Sequence, residues 1–253
     1  MPVDDLSLLV DLHRDGPRQG PGGVEETRLA IRLSGLRPGP QLRIADVGCG
    51  TGASTLVLAE DLEAEVVAVD FLPDFLTPLE AEARARNLSH RITTHAASME
   101  ALTFADASFD AIWSEGAIYN MGFAHGVQSW RRFLKHGGIL AVSELTWLTQ
   151  ERPAELTEHW QRAYPEVDTA AAKMAVLEEN GFTPVGYFAL SPRCWLDNYY
   201  RPLQARFAGF LSRHDGDPRA AELVAAEQVE IALYERHAAH VSYGFYIARR
   251  TAE

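Results

Sequence analysis

The chain has 253 residues, with 23 lysines and arginines against 35 aspartates and glutamates, so its formal net charge is −12 at pH 7. This sign disfavours a nucleic-acid backbone or an anionic membrane surface as the main partner. A small molecule is therefore the expected partner. The length favours a single α/β domain over residues 1–253.

The sequence also contains no apolar run long enough for a membrane helix, and its acidic N-terminus is unlike a signal peptide. We therefore expect a cytoplasmic protein without a membrane partner. The two cysteines, Cys49 and Cys194, have no neighbouring metal ligands and are expected to be free thiols. The nine histidines are scattered, so no metal site is predicted.

Residues 1–23 are expected to form an N-terminal arm. They begin with the apolar cluster Leu6 to Val10 and continue into Arg18-Gln-Gly-Pro-Gly-Gly23. This second part is too rich in glycine and proline for regular structure. It predicts a mobile segment, which is either a disordered terminus or a cover that folds over a bound ligand and excludes water.

Residues 24–150 are expected to form a nucleoside-binding core of alternating helices and strands. Helices are predicted at 24–33, 53–60, 72–83 and 127–134, and strands at 42–47, 65–69, 92–95, 110–114 and 138–144. Such alternation predicts a mostly parallel sheet with helices on both faces.

Residues 151–253 differ in character and are expected to cover the substrate. Helices are predicted at 154–164, 170–180, 196–211 and 218–237, and strands at 183–190 and 241–247. No long crossover helix leads into the last strand in a parallel sense, so we expect it to pair antiparallel at the sheet edge.

A glycine-rich turn directly follows the first predicted strand. The segment Asp46-Val-Gly-Cys-Gly-Thr-Gly52 contains three glycines, and Asp70 closes the second strand. A strand, a glycine turn, a helix and a second strand that ends in a carboxylate form a nucleoside half-site. The same residues also fit the dinucleotide pattern Gly48-x-Gly50-x-x-Ala53. A third interpretation is that the glycines only allow a tight turn and bind no ligand.

The pattern Asp-x-Gly-x-Gly-x-Gly closely resembles the first motif of class I S-adenosylmethionine-dependent methyltransferases. Ala97-Ser-Met-Glu100 and Ser108-Phe-Asp110 look like the third and fourth motifs of that family. Phe133 to Val142 resembles its passage from helix to fifth strand, so that the resemblance covers about residues 40–145. Ser114 to Asn120 and Arg18 to Gly22 are similar to bacterial members of its small-molecule type 11 branch.

This resemblance implies a Rossmann-like, doubly wound, mostly parallel sheet of seven strands whose last strand is antiparallel. It implies S-adenosyl-L-methionine as cofactor and S-adenosyl-L-homocysteine as product. Asp70 would then bind the ribose hydroxyls, Ser98 the adenine amino group and Met99 the adenine face. The full set of expected cofactor residues is Asp46, Gly48, Cys49, Gly50, Gly52, Asp70, Phe71, Ser98, Met99, Ser114 and Arg18.

The expected reaction is an in-line transfer of the methyl group to a small-molecule acceptor, in which alignment and a dry pocket matter most. Three expected catalytic groups could take a proton from the acceptor, namely Glu115, Tyr119 and Glu144, and His125 is a fourth candidate. The expected substrate contacts are Tyr119, Asn120, Trp147, Trp195, Tyr199 and Tyr200. A ring-lined pocket with acids nearby would suit a cationic or amphipathic substrate.

Two other functions stay open at this point, a nicotinamide-dependent oxidoreductase and a catalytically silent cofactor sensor. Gly52 and the Ser98-Met99 segment disfavour the oxidoreductase. Either a monomer or a homodimer is compatible with the sequence.

Overall fold

A mixed β-sheet forms the centre of the molecule. The computed structural model describes residues 3–251, with side chains described from residue 6 onward. Four residues of the predicted arm and C-terminal part lie outside the described residues, namely Met1, Pro2 and residues 252–253. The strands are β1 Arg43–Val47, β2 Glu65–Asp70, β3 Ile92–Ala96, β4 Phe109–Glu115, β5 Leu134–Trp147, β6 Asp168–Thr169, β7 Phe182–Ala189 and β8 Val241–Arg250.

Helices cover both faces of this sheet. They are α1 Val3–His13, α2 Val24–Ser34, α3 Ala53–Asp61, α4 Pro73–Ala85, α5 Phe123–Arg131, α6 Ala154–Ala163, α7 Ala170–Glu179, α8 Pro192–Trp195, α9 Arg201–Arg213 and α10 Pro218–His237. A short 3₁₀ turn at Ile118–Asn120 precedes α5, and a π-helical turn at Leu196–Tyr200 joins α8 to α9. No helix in residues 3–251 is long and apolar enough to cross a membrane.

The strand order within the described residues is β3-β2-β1-β4-β5-β8-β7, and the two-residue β6 pairs with β5. Strands β1 to β5 pair in parallel, which confirms the predicted doubly wound sheet. The chain leaves β1 toward β2 and later returns to β4 on the other side of β1. This reversal creates a crevice at the carboxyl ends of β1 and β4, where ligands bind in such sheets.

The last strand is antiparallel, as predicted, but its predicted position at the edge is wrong. β8 pairs with both β5 and β7, so that β7 forms the edge. The helix α2 packs against one face of β8, where Phe245 and Ile247 are buried, and α7 packs against the other, where Tyr246 and Ala248 are buried. The nearly continuous apolar run of β8 fits a strand inside the sheet that is covered on both faces.

Two predicted elements in the middle of the chain are displaced. The helix α5 starts at Phe123 rather than residue 127, because Gly122, at φ 87°, ends the preceding turn. The strand β5 begins at Leu134 rather than at residue 138, and Gly137 lies inside it. Its register against β4 shifts between Phe109 and Ala111, so that Gly137, at φ 75°, forms a bulge instead of ending the strand.

The first helix, α1, contains the apolar cluster of the arm, whereas residues 14–23, which include the glycine-rich segment, form no helix or strand. It packs against α9 and α10, and its Leu8 and Leu12 are buried there. The following residues then run along the carboxyl ends of the strands before α2. The arm is thus an ordered segment with a helix of its own.

Candidate active site

A cavity of about 930 Å³ opens at the carboxyl ends of the parallel strands, beside the crevice between β1 and β4. Its lining comes from the N-terminal arm, the glycine turn, the ends of β2 and β4, and the helices α6 and α10. Small-molecule sites usually enclose about 300–1,000 Å³. The cavity is therefore large enough for a nucleoside cofactor together with a small second molecule.

The glycine turn bends along one wall of the cavity. Gly48, Gly50 and Gly52 adopt φ values of 74°, 54° and 87°, a region that glycine enters far more readily than other residues. A Cβ atom at Gly48 would lie 2.3 Å from the Ala117 Cβ, and one at Gly52 would lie 2.2 Å from Leu79 Cδ1. Gly48 and Gly50 line the cavity, whereas Gly52 packs away from it against α4.

Asp70 lies at the end of β2 and faces the same cavity. Its two carboxylate oxygens accept hydrogen bonds from the Gly50 N–H at 2.8 Å and the Leu72 N–H at 2.9 Å. Each oxygen keeps a second lone pair for a ligand hydroxyl. Burial raises the pKa of Asp70, although the two N–H donors oppose this shift.

Asp46 does not reach the cavity, so its expected contact with the cofactor is wrong. Its carboxylate is fully buried and accepts hydrogen bonds from the hydroxyls of Ser54 at 2.8 Å and Thr55 at 2.6 Å. Burial raises its pKa to about 7. Asp46 therefore joins β1 to the first turn of α3 beneath the glycine turn.

The predicted adenine contacts lie beside Asp70. Phe71, Ser98 and Met99 all line the cavity, and the Met99 carbonyl accepts a hydrogen bond from the buried Trp130 indole at 3.1 Å. Cys49 lines it too, as a buried free thiol whose pKa burial raises well above its usual value. Cys194 is also a buried free thiol, as predicted.

Arg18 joins the arm to the end of β4. Its guanidinium donates to one oxygen of the Glu115 carboxylate, and both side chains are largely buried. The other oxygen accepts hydrogen bonds from the Thr27 hydroxyl at 2.7 Å and the Trp113 indole at 3.0 Å. Glu115 lines the cavity, but these three donors commit its carboxylate to holding the arm.

Gln19, which the sequence reasoning missed, binds the glycine turn directly. Its Oε1 accepts hydrogen bonds from the backbone N–H and the hydroxyl of Thr51, and its Nε2 donates to the carbonyls of His13 and Gly16. Its position beside Arg18 in the glycine-rich arm was the available signal. The arm thus contacts both the glycine turn, through Gln19, and the end of β4, through Arg18.

The far end of the cavity, which we call the acceptor end, is lined by aromatic rings. Three of the expected substrate residues, Tyr119, Trp195 and Tyr199, line it, together with Tyr243 on β8, which the sequence reasoning missed. The Trp195 indole stacks on Tyr234 at 4.5 Å between ring centroids and donates to the Ser242 hydroxyl at 3.0 Å. Tyr119 is 42% exposed and is the most open of these four side chains.

Two carboxylates of α10 and one histidine of the arm complete the acceptor end, and none of them was predicted. Glu227, Glu230 and His13 line the cavity. Glu230 accepts a hydrogen bond from the Tyr200 hydroxyl at 2.8 Å, and burial beside Glu227 raises its pKa to about 7. The signal in the sequence was the position of Glu227 on the apolar face of an amphipathic helix.

Several predicted site residues lie outside the cavity. Ser114 and Glu144 are buried in the strands β4 and β5, and the predictions of a cofactor contact and a proton acceptor there are wrong. The Glu144 carboxylate accepts from the Leu145 N–H at 2.7 Å, and burial raises its pKa to about 7. His125 is exposed on α5, and Asn120 lines the cavity while donating to the Ala117 carbonyl at 3.0 Å.

Two of the predicted substrate rings are also separated from the cavity. Trp147 is buried at the end of β5 and stacks under the Arg152 guanidinium, 4.6 Å from the ring centroid. Tyr200 is fully buried behind the wall, where it positions Glu230. Within residues 3–251, no three histidine, cysteine, aspartate or glutamate side chains are grouped as a metal ion would require.

The sheet order, the glycine turn in the crevice and the carboxylate at the end of β2 together form a nucleoside-binding half-site. Residues 44–138 match the family described as a methyltransferase domain. A methyltransferase is therefore the class of protein that this part of the chain resembles.

Comparisons with individual proteins agree with this class. The chain is 27% identical over 165 residues to phosphoethanolamine N-methyltransferase 1 of Arabidopsis thaliana, a match that covers 65% of this chain and 33% of the plant protein. The matched part thus spans about a third of that relative.

Two solved structures share the fold over nearly the whole chain. One is an S-adenosylmethionine-dependent methyltransferase of Geobacter sulfurreducens in complex with S-adenosyl-L-homocysteine, with a TM-score of 0.79 and 19% identity, covering 98% of each chain. The other is the [4+2]-cyclase SpnF, with a TM-score of 0.76 and 24% identity, covering 98% of this chain and 93% of that one.

Proposed function

We propose that the chain is an S-adenosylmethionine-dependent methyltransferase that acts on a small-molecule acceptor. The observation that carries the proposal is that the glycine turn, the Asp70 carboxylate and the ring-lined acceptor end share one cavity. A nucleoside cofactor and a second small molecule would then meet within one enclosed space. The net charge of −12 supports a small metabolite rather than nucleic acid, and we place the reaction in the cytoplasm.

The residues at the β1–β2 end fit S-adenosylmethionine. A side chain at Gly48 or Gly50 would collide with Ala117 or Gln19, so only bare backbone faces the ligand at this wall. Asp70 has lone pairs free for two ribose hydroxyls, and Phe71, Ser98 and Met99 would flank the adenine. When bound, this cofactor supplies a methyl group that is already activated by the positive charge of its sulfur.

The chain's own contribution would be alignment and exclusion of water. The arm closes one side of the cavity through Gln19 on Thr51 and Arg18 on Glu115. Tyr199 and Tyr243 would present neutral phenols toward the acceptor, because burial raises the pKa of each. Holding two reactants in line within a dry pocket is a large part of what such a displacement needs.

The test is transfer of a labelled methyl group. Purified protein is incubated with methyl-labelled S-adenosylmethionine and a small-metabolite extract, and label is sought in new products by mass spectrometry. We expect a labelled product that depends on the protein and disappears in Asp70→Ala. If the protein binds the cofactor but labels no metabolite while a protein partner co-purifies, a cofactor sensor explains the chain better.

A further inference from the structure

The charges around the cavity are strongly unbalanced. Five carboxylates and one arginine line it, and the arginine, Arg18, is already paired with Glu115. At the acceptor end, Glu227 and Glu230 lie about one helical turn apart on α10, and neither lysine nor arginine lines that end within the described residues. Carboxylates in such a low-dielectric place are costly unless a cation joins them.

His13 adds a third polar side chain to this end. It is 5% exposed and lines the cavity. Its Nε2 lies 3.7 Å from Glu227 Oε1, which is beyond hydrogen-bond reach. The imidazole thus does not occupy the Glu227 carboxylate with a hydrogen bond.

The aromatic rings at the acceptor end would complement a cation. Tyr119, Tyr199, Tyr243 and Trp195 line the same cavity as the two glutamates. Ring faces attract an ammonium group, and the attraction grows when water is excluded. A phosphate or carboxylate in the same place would instead face Glu227 and Glu230 at close range.

Resting on the proposed function, we propose that the methyl acceptor is an amine without an anionic group, which binds as an ammonium ion between Glu230, Glu227 and the surrounding rings. Glu230 then takes the ammonium proton. The freed lone pair on nitrogen forms the new C–N bond to the methyl group, and the breaking C–S bond leaves its electron pair on sulfur. The products are the N-methylated ammonium ion, the neutral sulfide of S-adenosylhomocysteine and a protonated Glu230.

The environment of Glu230 suits this role. Burial, and the neighbouring charge of Glu227, raise the pKa of its carboxyl to about 7, so it exchanges a proton readily near neutral pH. The Tyr200 hydroxyl donates to one of its oxygens at 2.8 Å and fixes its direction. A carboxylate with a pKa close to the working pH is the most effective acceptor for such a proton.

The test is calorimetric binding to protein saturated with S-adenosylhomocysteine. The probes are 2-phenylethylamine, hexylamine and benzylamine, each with its matched alcohol and carboxylate. We expect at least one amine to bind on the order of tenfold or more tightly than its alcohol and carboxylate. Glu230→Gln should abolish that preference while S-adenosylhomocysteine still binds with unchanged affinity. Glu222→Gln, an exposed glutamate on the same helix, is the matched control and should keep the preference.

Three outcomes separate this inference from the proposed function. If S-adenosylhomocysteine does not bind, the proposed function fails, and the amine site fails with it. If it binds but every amine is equalled by its alcohol or carboxylate, or if Glu230→Gln keeps the preference, the amine site is overturned alone. A labelled metabolite without a basic nitrogen would overturn it in the same way. Should Glu230→Gln unfold, Glu227→Gln tests the same preference.

Discussion

The Gln19 side chain holds the backbone of Thr51, with its Oε1 accepting from the Thr51 N–H at 2.8 Å and from the Thr51 hydroxyl at 3.0 Å. The same side chain donates to the carbonyl of His13, whose imidazole faces the acceptor end. The Gln19 amide therefore joins the glycine turn to α1, whose last residue lines the acceptor end. The arm thus contacts both ends of the cavity.

The first prediction follows from this contact. Gln19→Ala removes two acceptor contacts at Thr51 and loosens the arm. We therefore expect the affinity for S-adenosylhomocysteine to fall by a factor of about five or more, since a lost hydrogen bond costs about 1 kcal/mol. Isothermal titration calorimetry measures the change. Gln128→Ala, at an exposed glutamine on α5, is the control and should leave binding unchanged. Equal affinities for wild type and Gln19→Ala would show that the arm does not support the cofactor site.

The second prediction concerns the close approach at Gly48. Gly48→Ala places a Cβ atom 2.3 Å from that of Ala117 and imposes a side chain on a φ of 74°. We expect the free energy of unfolding to fall by about 1–3 kcal/mol and cofactor binding to weaken at least tenfold. Gly39→Ala is the matched control, because no atom lies within 4 Å of its Cβ position. If Gly48→Ala keeps the wild-type affinity, the proposal that bare backbone at Gly48 faces the cofactor is contradicted.

The third prediction separates Asp46 from the ligand contacts. Asp46→Ala leaves the buried hydroxyls of Ser54 and Thr55 without their acceptor. We expect a loss of about 2–4 kcal/mol of stability in urea denaturation, because unsatisfied buried groups are costly. Ser54→Ala, which removes one donor, should cost less. An Asp46→Ala protein as stable as wild type would show that this carboxylate does not brace the turn.

The fourth prediction concerns pH. Burial raises the pKa of Glu144 from 4.5 to about 7, so the folded chain holds its proton more tightly than the unfolded chain does. This contribution is full below about pH 4.5 and is lost as the pH rises through 7. We expect wild type to lose about 1–3 kcal/mol more stability than Glu144→Gln between pH 4.5 and pH 8.

Urea denaturation at several pH values measures this difference. Glu222→Gln, at the exposed position on α10, should follow the wild-type curve. A Glu144→Gln protein that loses as much stability as wild type over the same range would contradict the assignment of a raised pKa to this carboxyl.

The core of the nucleoside half-site was predictable because its signals are local. A strand, a glycine turn and a following helix are set by neighbouring residues, and β1, α3 and β2 lie within a residue or so of their predicted bounds. The helix α10 was predicted with its bounds, Pro218 to His237, because its proline start and apolar spacing are also local.

Contacts between distant segments were not predictable in this way. Leu8 and Leu12 form a helical face only because α9 and α10, about two hundred residues later, supply the surface that buries them. Side chains alternate between the two faces of a strand. Whether those of Asp46 and Glu144 reach the cavity depends on which face of each strand is turned toward it.

The two glutamates of the acceptor end were missed for a related reason. Glu227 falls on the face of α10 that also carries the buried Val224, Ile231 and Tyr234. An acid on an apolar helix face is a sign of function, but α10 contains other glutamates, and only the fold shows which of them turn inward.

The central claim is that the cavity binds S-adenosylmethionine through Asp70 and the glycine turn. The most direct test is a calorimetric comparison of S-adenosylmethionine, S-adenosylhomocysteine and NAD on wild type and on Asp70→Ala. We expect the first two ligands to bind wild type, NAD to show no binding, and Asp70→Ala to remain folded but lose at least tenfold in affinity for both. Binding of NAD alone, or undiminished S-adenosylhomocysteine binding by Asp70→Ala, would contradict the claim.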